Sequence, residues 1–221
     1  MNTQGNIPLF ETTITKVMEI APHVYVLSFP KTDDFRPGQM LALALKSTDQ
    51  ARLYSIASGK DDADYRILFN IMHKGFLTPR LSKVNPGDHL FISKPFGSFY
   101  GTTNPDWWIA AGTGIAPFIS MLESGMGENK TLIHGGRAAN SFYYSETFRE
   151  KLKDNYIKCS SLERKEGFYQ GRITSFLRKT EKINPDRKYF VCGSSEFVVD
   201  VRDILISRAI PYQQIIAEIY F

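Results

Sequence analysis

The stretch best equipped for chemistry is Ala111-Gly112-Thr113-Gly114-Ile115-Ala116-Pro117-Phe118. It follows the apolar run Trp107-Trp108-Ile109-Ala110 and leads into Ile119-Ser120-Met121-Leu122, so it reads as a strand, a glycine turn and a helix start in succession. Such a turn holds phosphate. Glycines let the backbone approach closely and aim amide N–H groups at the anion, while the positive end of the helix dipole favours the charge. The spacing is not Gly-x-Gly-x-x-Gly: Pro117 stands where the last glycine would be, and proline in a first helical turn loses only an N–H that the helix could not use. A plain tight strand-to-helix turn would carry the same glycines, so the stretch must be read with its neighbours.

Two further stretches suit the same class of ligand. Arg52-Leu53-Tyr54-Ser55-Ile56-Ala57-Ser58, taken as a strand, puts Arg52 and Tyr54 on one face and Ser55 on the other. An arginine fork beside an aromatic plane fits a flat aromatic ligand carrying phosphate, and it equally fits an exposed cross-strand Arg/Tyr ladder. Gly75-Phe76-Leu77-Thr78-Pro79-Arg80-Leu81 offers a glycine turn, a hydroxyl and a possible helix start. That suits phosphate, or an ordinary Thr N-cap ahead of proline. No metal is expected. His23, His73, His89 and His134 are scattered, and two cysteines, Cys159 and Cys192, are too few for a zinc or iron–sulfur centre. No nucleophile elbow is present. Redox chemistry would therefore need another cofactor.

The elements that must position these residues fall into two halves. The 221 residues, 43% hydrophobic and 23% charged, are enough for two modest domains. No apolar run reaches eighteen residues, and Met1 to Phe10 has neither a basic nor an apolar leader region, so a cytoplasmic protein with no membrane span is expected. A net charge of +4 is too mild for nucleic acid and compatible with an acidic protein partner or a phosphate-rich ligand. From Phe10 to about Phe99, short β-rich runs punctuated by Gly and Pro predict a small antiparallel barrel, with one short helix over Thr78 to Val84. The pattern changes near Gly101-Thr102-Thr103-Asn104-Pro105. Beyond it, strands alternate with helical segments, which predicts a parallel sheet flanked by helices, with the first helix running through Glu123. The expected domains are 1–103 and 104–221, all-β followed by α/β.

In order and spacing, Pro37-Gly38-Gln39, Arg52-x-Tyr54-Ser55, Gly75-x-x-Thr78, Gly112-Thr113-Gly114-x-x-Pro117, Cys192-Gly193 and the aromatic C-terminus resemble the ferredoxin–NADP reductase superfamily, most of all the bacterial ferredoxin and flavodoxin reductases. The resemblance implies a six-stranded antiparallel FAD-binding barrel and a C-terminal NADP-binding α/β domain, with the active site where the two meet. It implies that Tyr54 stacks on the flavin, that Arg52 pairs with its pyrophosphate alongside Leu53, and that Ser55 hydrogen-bonds the nitrogen that receives hydride. Gly75, Phe76, Leu77 and Thr78 would cradle the flavin pyrophosphate. Gly112, Thr113, Gly114 and Pro117 would take that of the nicotinamide nucleotide, with Gly193 beside them.

NADPH over NADH would rest on cations placed for a 2′-phosphate. Arg137 follows one predicted strand and Arg164 the next, and Gln170-Gly171-Arg172-Ile173-Thr174 resembles the Gly-Arg-Leu/Ile-Thr stretch of the bacterial reductases. Cys192 and Glu218 resemble the cysteine and glutamate near the nicotinamide, and Tyr220 or Phe221 would cover the flavin face opposite Tyr54. The implied activity carries electrons from NADPH through FAD to an acidic one-electron carrier, ferredoxin or flavodoxin, by a monomer. The reductase component of an oxygenase or desaturase would share every one of these residues, and a flavin-bearing subunit of a larger complex stays open as a further reading.

Overall fold

Short apolar runs broken by Pro-Gly turns cannot form long helices, and residues 7–100 fold accordingly, mainly as strands. The computed structural model describes residues 7–181 and 183–220, and the chain divides into two units, Met1–Tyr100 and Gly101–Phe221. In the first lie β1 (Phe10–Thr13), β2 (Lys16–Ala21), β3 (Val24–Pro30), β4 (Met40–Ala44), β5 (Arg52–Ser55), β6 (Asp64–Asn70), α1 (Thr78–Leu81) and β7 (His89–Ile92). They form two antiparallel sheets, in the orders β1-β7-β4-β5 and β2-β3-β6. A bridge between Ile56 and Ile67 joins them.

Among the described residues the strands of this unit number seven where six were expected, because the chain changes sheets at Ile14 and Thr15. Buried Ile14 donates its N–H to the Asp88 carbonyl and Thr15 donates to Ser28, both at 2.9 Å, so β1 and β2 belong to different sheets. Leu27, Phe29, Leu41, Leu43, Ile67 and Ile92 meet in the core with Leu77 and Leu81 of the α1 region.

The second unit contains β8 (Trp107–Ala111), α2 (Ala116–Met121), β9 (Thr131–Gly136), α3 (Ser145–Leu152), β10 (Tyr156–Ser160), β11 (Phe168–Gln170), α4 (Ile173–Lys179), β12 (Tyr189–Ser194), α5 (Ser195–Ser207) and β13 (Ile215–Tyr220). The six strands make one parallel sheet in the order β11-β10-β9-β8-β12-β13. One face packs Trp107, Ile109, Ile133, Cys159 and Val191 against Ile173 and Leu177 of α4 and Val198, Val201 and Leu205 of α5. On the other face Trp108 stacks on Phe118 of α2 at 5.5 Å and Tyr156 meets Phe148 of α3 at 5.7 Å.

The first helix of this unit stops at Met121 rather than continuing to Glu123. A widened turn over Leu122–Met126 follows, in which Gly125 takes φ +82°. Strand β11 was not anticipated, since three residues between Gly167 and Gly171 are too short for a period to register. A buried ion pair anchors the start of the sheet. Lys130 is fully buried, donates to the backbone carbonyls of Thr102 and Asn104, and pairs with Asp106 at 3.2 Å. Among the described residues, no helix is long and apolar enough to cross a membrane.

Candidate functional site

In the first unit the candidate residues sit on the edge strand β5 and on the loop that follows β6. Strand β5 pairs only with β4 in its sheet, and it leaves Arg52 and Leu53 exposed, Tyr54 half-buried and Ser55 buried. The Tyr54 ring meets Phe69 of β6 edge-on at 6.4 Å, which ties the strand to the element that launches the loop. Burial raises the Tyr54 phenol well above its ordinary range and the Arg52 charge only partly offsets this, so the phenol keeps its proton.

The loop is held by its own hydrogen bonds. Gly75 N–H donates to the Met72 carbonyl at 2.7 Å, and Met72 N–H donates to Thr78 Oγ1 at 2.8 Å. Thr78 is therefore not the N-cap of α1. Leu77 holds that place without a side-chain bond, and the Thr78 hydroxyl serves the preceding loop while keeping its hydrogen to donate. Leu77 is buried in the core, whereas Phe76 is exposed, with the Arg80 guanidinium over its ring at 4.0 Å and hydrogen-bonded to its carbonyl. Arg80 was not singled out in the sequence, because a charge on a short helix reads as solvated surface.

In the second unit, the candidate residues gather at the carboxyl ends of the sheet. The chain runs outward from β8 through β9, β10 and β11, then returns to the other side of β8 as β12 and β13. The strand order thus reverses between β8 and β12, and in open α/β sheets the crevice at such a reversal is where ligands bind. The turn Gly112–Ile115, after β8, lies there. Its two glycines are required for different reasons. Gly112 has φ +57° with open space around it, so conformation selects glycine. A Cβ on Gly114 would stand 2.3 Å from the carbonyl oxygen of Cys192 and 2.9 Å from the Gly193 nitrogen, so close approach to the end of β12 selects glycine there. Pro117 is buried within the first turn of α2.

Beyond that contact, the parallel register sets Glu218 abreast of Cys192 and Tyr220 abreast of Ser194, putting Cys192, Glu218 and Tyr220 on one face of β12 and β13. Cys192 is fully buried and Glu218 nearly so. Burial raises the Cys192 thiol well above its ordinary range and the Glu218 charge adds to this, against a weaker downward pull from the Tyr220 hydrogen bond. The thiol therefore stays protonated. It can fill space and donate a hydrogen bond, but it does not supply a thiolate nucleophile. Gly193 faces Phe197 so closely that a Cβ would lie 2.6 Å from its ring. Phe221 lies outside the described residues.

Arg137, Arg164 and Arg172 are exposed and follow β9, β10 and β11, three neighbours in the sheet. Their backbones are stitched together. The Ser160 hydroxyl donates to the Arg137 carbonyl at 2.9 Å, Leu162 N–H donates to the same oxygen at 3.1 Å, and Gly171 N–H donates to Ser160 at 2.8 Å. Three guanidinium groups thus leave one tied edge of the sheet, suited to a phosphate dianion. Among the described residues there is no group of three or more His, Cys, Asp and Glu side chains placed for a metal ion. Cys159 is a core residue whose thiol burial pushes up to about 12.

Residues 11–100 match the family model described as an oxidoreductase FAD-binding domain, and residues 108–203 match the oxidoreductase NAD-binding domain. A ferredoxin–NADP reductase of Azotobacter vinelandii is 29% identical over 77% of this chain and 78% of its own length. The reductase component of a propane 2-monooxygenase from Mycolicibacterium goodii is 26% identical over 96% of this chain and 68% of its own length. The fold is that of a Neisseria gonorrhoeae ferredoxin NADP+ reductase solved with bound FAD and NADP, at a TM-score of 0.85 with 20% identity, over 96% of this chain and 99% of that one.

Proposed function

With its first half matching an oxidoreductase FAD-binding model and its second an oxidoreductase NAD-binding model, the chain belongs to the ferredoxin–NADP reductase superfamily, and from that footing we propose that it moves electrons from NADPH through FAD to a one-electron protein carrier, a ferredoxin or a flavodoxin. The observation that carries the reading is the reversal of strand order between β8 and β12, where the Gly112–Ile115 turn backs onto Cys192 and Gly193 with no room for a Cβ on Gly114. When bound, FAD supplies the conversion of a two-electron hydride donor into a one-electron source. The chain's own residues bind, orient and shield.

Residues 1–103 are assigned to FAD and 104–221 to the nucleotide. The residues of the first unit fit a flat, phosphate-bearing group: Arg52 is exposed, and Leu53, Met72 and Phe76 are apolar side chains left 52–58% exposed. Arg52 is assigned to the pyrophosphate, Tyr54 to the ring face, and Ser55 to a ring nitrogen as hydroxyl donor. Gly75, Phe76, Leu77 and Thr78 wrap the phosphates, the Thr78 hydroxyl donating while it accepts from Met72. In the second unit Gly112, Thr113 and Gly114 present amides to the nucleotide pyrophosphate with Pro117 behind them, Arg137, Arg164 and Arg172 take the 2′-phosphate, and Cys192, Glu218 and Tyr220 line the reacting end.

The net charge of +4 favours an acidic carrier. The alignment with a monooxygenase reductase over nearly the whole chain supports a second choice of acceptor, an oxygenase component, served by the same residues. Mixing the FAD-loaded protein with NADPH or NADH under argon and following the visible flavin absorbance tests the nucleotide step. Rapid bleaching by NADPH and slow bleaching by NADH is the expected result; bleaching by neither overturns the reading.

A further inference from the structure

Strand β10 alternates Tyr156, Lys158 and Ser160 on one face with Ile157 and Cys159 on the other, and the first face lies under α3 rather than in solvent. Lys158 is 7% exposed. Among the described residues no carboxylate forms an ion pair with it. Aromatic faces surround its ammonium instead, Phe168 at 4.3 Å and Tyr156 at 5.7 Å from the ring centres. A second ammonium, that of Lys165, stands 5.8 Å from the same Phe168 ring. Burial and then the positive charges of Arg149 and Lys165 disfavour the Lys158 proton. His134, in register with Lys158 on the next strand, gives no negative charge: it is fully buried, bonded to the Tyr156 hydroxyl at 3.0 Å, and kept neutral.

Two ammonium groups thus share the Phe168 ring, neither paired with a carboxylate among the described residues, and Lys158 is more than nine-tenths buried. Aromatic faces compensate such a charge only in part. An anion would complete the arrangement. Ser160, two residues on and about 7 Å along the strand, bonds the Arg137 carbonyl, which places Lys158 one layer beneath the edge that carries Arg137, Arg164 and Arg172.

We propose that Lys158, flanked by Lys165 and floored by Phe168, is a binding site for a phosphate group. That group is either the 2′-phosphate of the nucleotide, in which case the inference rests on the reading given above, or free inorganic phosphate. Lys158 then discriminates between nucleotides with and without a 2′-phosphate from beneath the exposed arginines, or holds inorganic phosphate there.

The test is calorimetric titration of the FAD-loaded protein and its Lys158→Met and Lys158→Arg variants with 2′,5′-ADP, 5′-AMP and inorganic phosphate. Lys158→Met is expected to weaken 2′,5′-ADP at least tenfold while leaving 5′-AMP within twofold, with Lys158→Arg restoring most of the loss. Loss of inorganic phosphate binding alone assigns the site to a free anion. Affinities for both 2′,5′-ADP and inorganic phosphate within twofold of the parent overturn the proposal. Thermal unfolding gives an independent arm should a variant fold poorly. The parent's midpoint should rise with phosphate relative to chloride at equal ionic strength, and a midpoint indifferent to both phosphate and 2′,5′-ADP overturns the proposal as well. A parent protein bleached by NADH and not by NADPH would sink the nucleotide reading while leaving a phosphate-binding Lys158 in place.

Discussion

Replacing Gly114 by alanine tests whether the end of β12 positions the nucleotide turn. The new Cβ would lie 2.3 Å from the Cys192 oxygen, 2.7 Å from its carbonyl carbon and 2.9 Å from the Gly193 nitrogen, against about 3.4 Å for ordinary contact. All three are backbone atoms, so no side chain can rotate away. The turn and the strand end must part by about 1 Å. A displacement of that size at a reacting centre costs on the order of 100-fold in rate, and overpacking costs about 1–3 kcal/mol of stability. The assay is anaerobic stopped-flow bleaching of the flavin by NADPH, with flavin content measured alongside. Gly114→Ala should keep its FAD, since the residues assigned to that cofactor belong to the other unit, and should bleach about 100-fold more slowly. Gly112→Ala is the internal comparison. Nothing lies within 4 Å of its Cβ, and only the left-handed φ of +57° opposes it, so its cost is about 1 kcal/mol and at most about tenfold in rate. A Gly114→Ala protein that bleaches within about threefold of the parent would refute the argument that this contact sets the turn.

Two more outcomes concern the stability of the α/β unit, which intrinsic fluorescence reports selectively because the protein's two tryptophans, Trp107 and Trp108, both lie in β8. Burial, helped by Lys158, lowers the His134 pKa to about 3, so a proton binds the unfolded chain more readily than the folded one as pH falls below the unfolded value of about 6.5. The stability this neutral residue preserves is present above that pH and declines by about 1.4 kcal/mol per unit below it, roughly 2 kcal/mol between pH 7 and pH 5. Urea unfolding of His134→Gln should show a correspondingly shallower acid slope, and equal slopes in the two proteins would reject the assignment. Lys130→Met strands the Asp106 carboxylate, whose side chain is 3% exposed, and should lower stability by about 3 kcal/mol. The Lys130→Met/Asp106→Asn double variant should recover much of that loss, and single and double variants of equal stability would mean the pair is not coupled.

The sequence was most legible where chemistry constrains backbone. Gly112, Gly114 and Pro117 stand out because a tight strand-to-helix turn with a positive φ and a close backbone approach tolerates few residue types, and the change from strand spacing to strand–helix alternation near Gly101 marks the two units without knowledge of any contact. Single side chains between such signals are placed by contacts that spacing does not encode. Thr78 followed by Pro79 has the form of a cap, yet a cap depends on where the helix begins, and the hydroxyl was taken by Met72 N–H six residues back. Lys158 between Ile157 and Cys159 has the alternation of a half-solvated strand. The docking of α3 on that face and the Phe168 ring of β11 cover it, and no local spacing encodes either contact.

The same distinction explains why the two glycines of the opening turn, identical in the sequence, have different work to do. Gly112 is selected by its own φ, a local property that a glycine after a strand already suggests. Gly114 is selected by Cys192 and Gly193, about eighty residues away, and becomes intelligible only when the strand order reverses and brings β12 beside β8. That reversal also places Glu218 and Tyr220 next to Cys192, because β13 extends the sheet on the same side. Spacing along the chain could recover the turn but not its partner. A loop packed directly on the backbone of a cysteine-bearing strand cannot be altered on either side alone, so substitutions at Gly114, Cys192 and Gly193 should be non-additive. If Gly114→Ala and Gly193→Ala lower the bleaching rate by independent factors that multiply in the double variant, the two segments do not act as one unit.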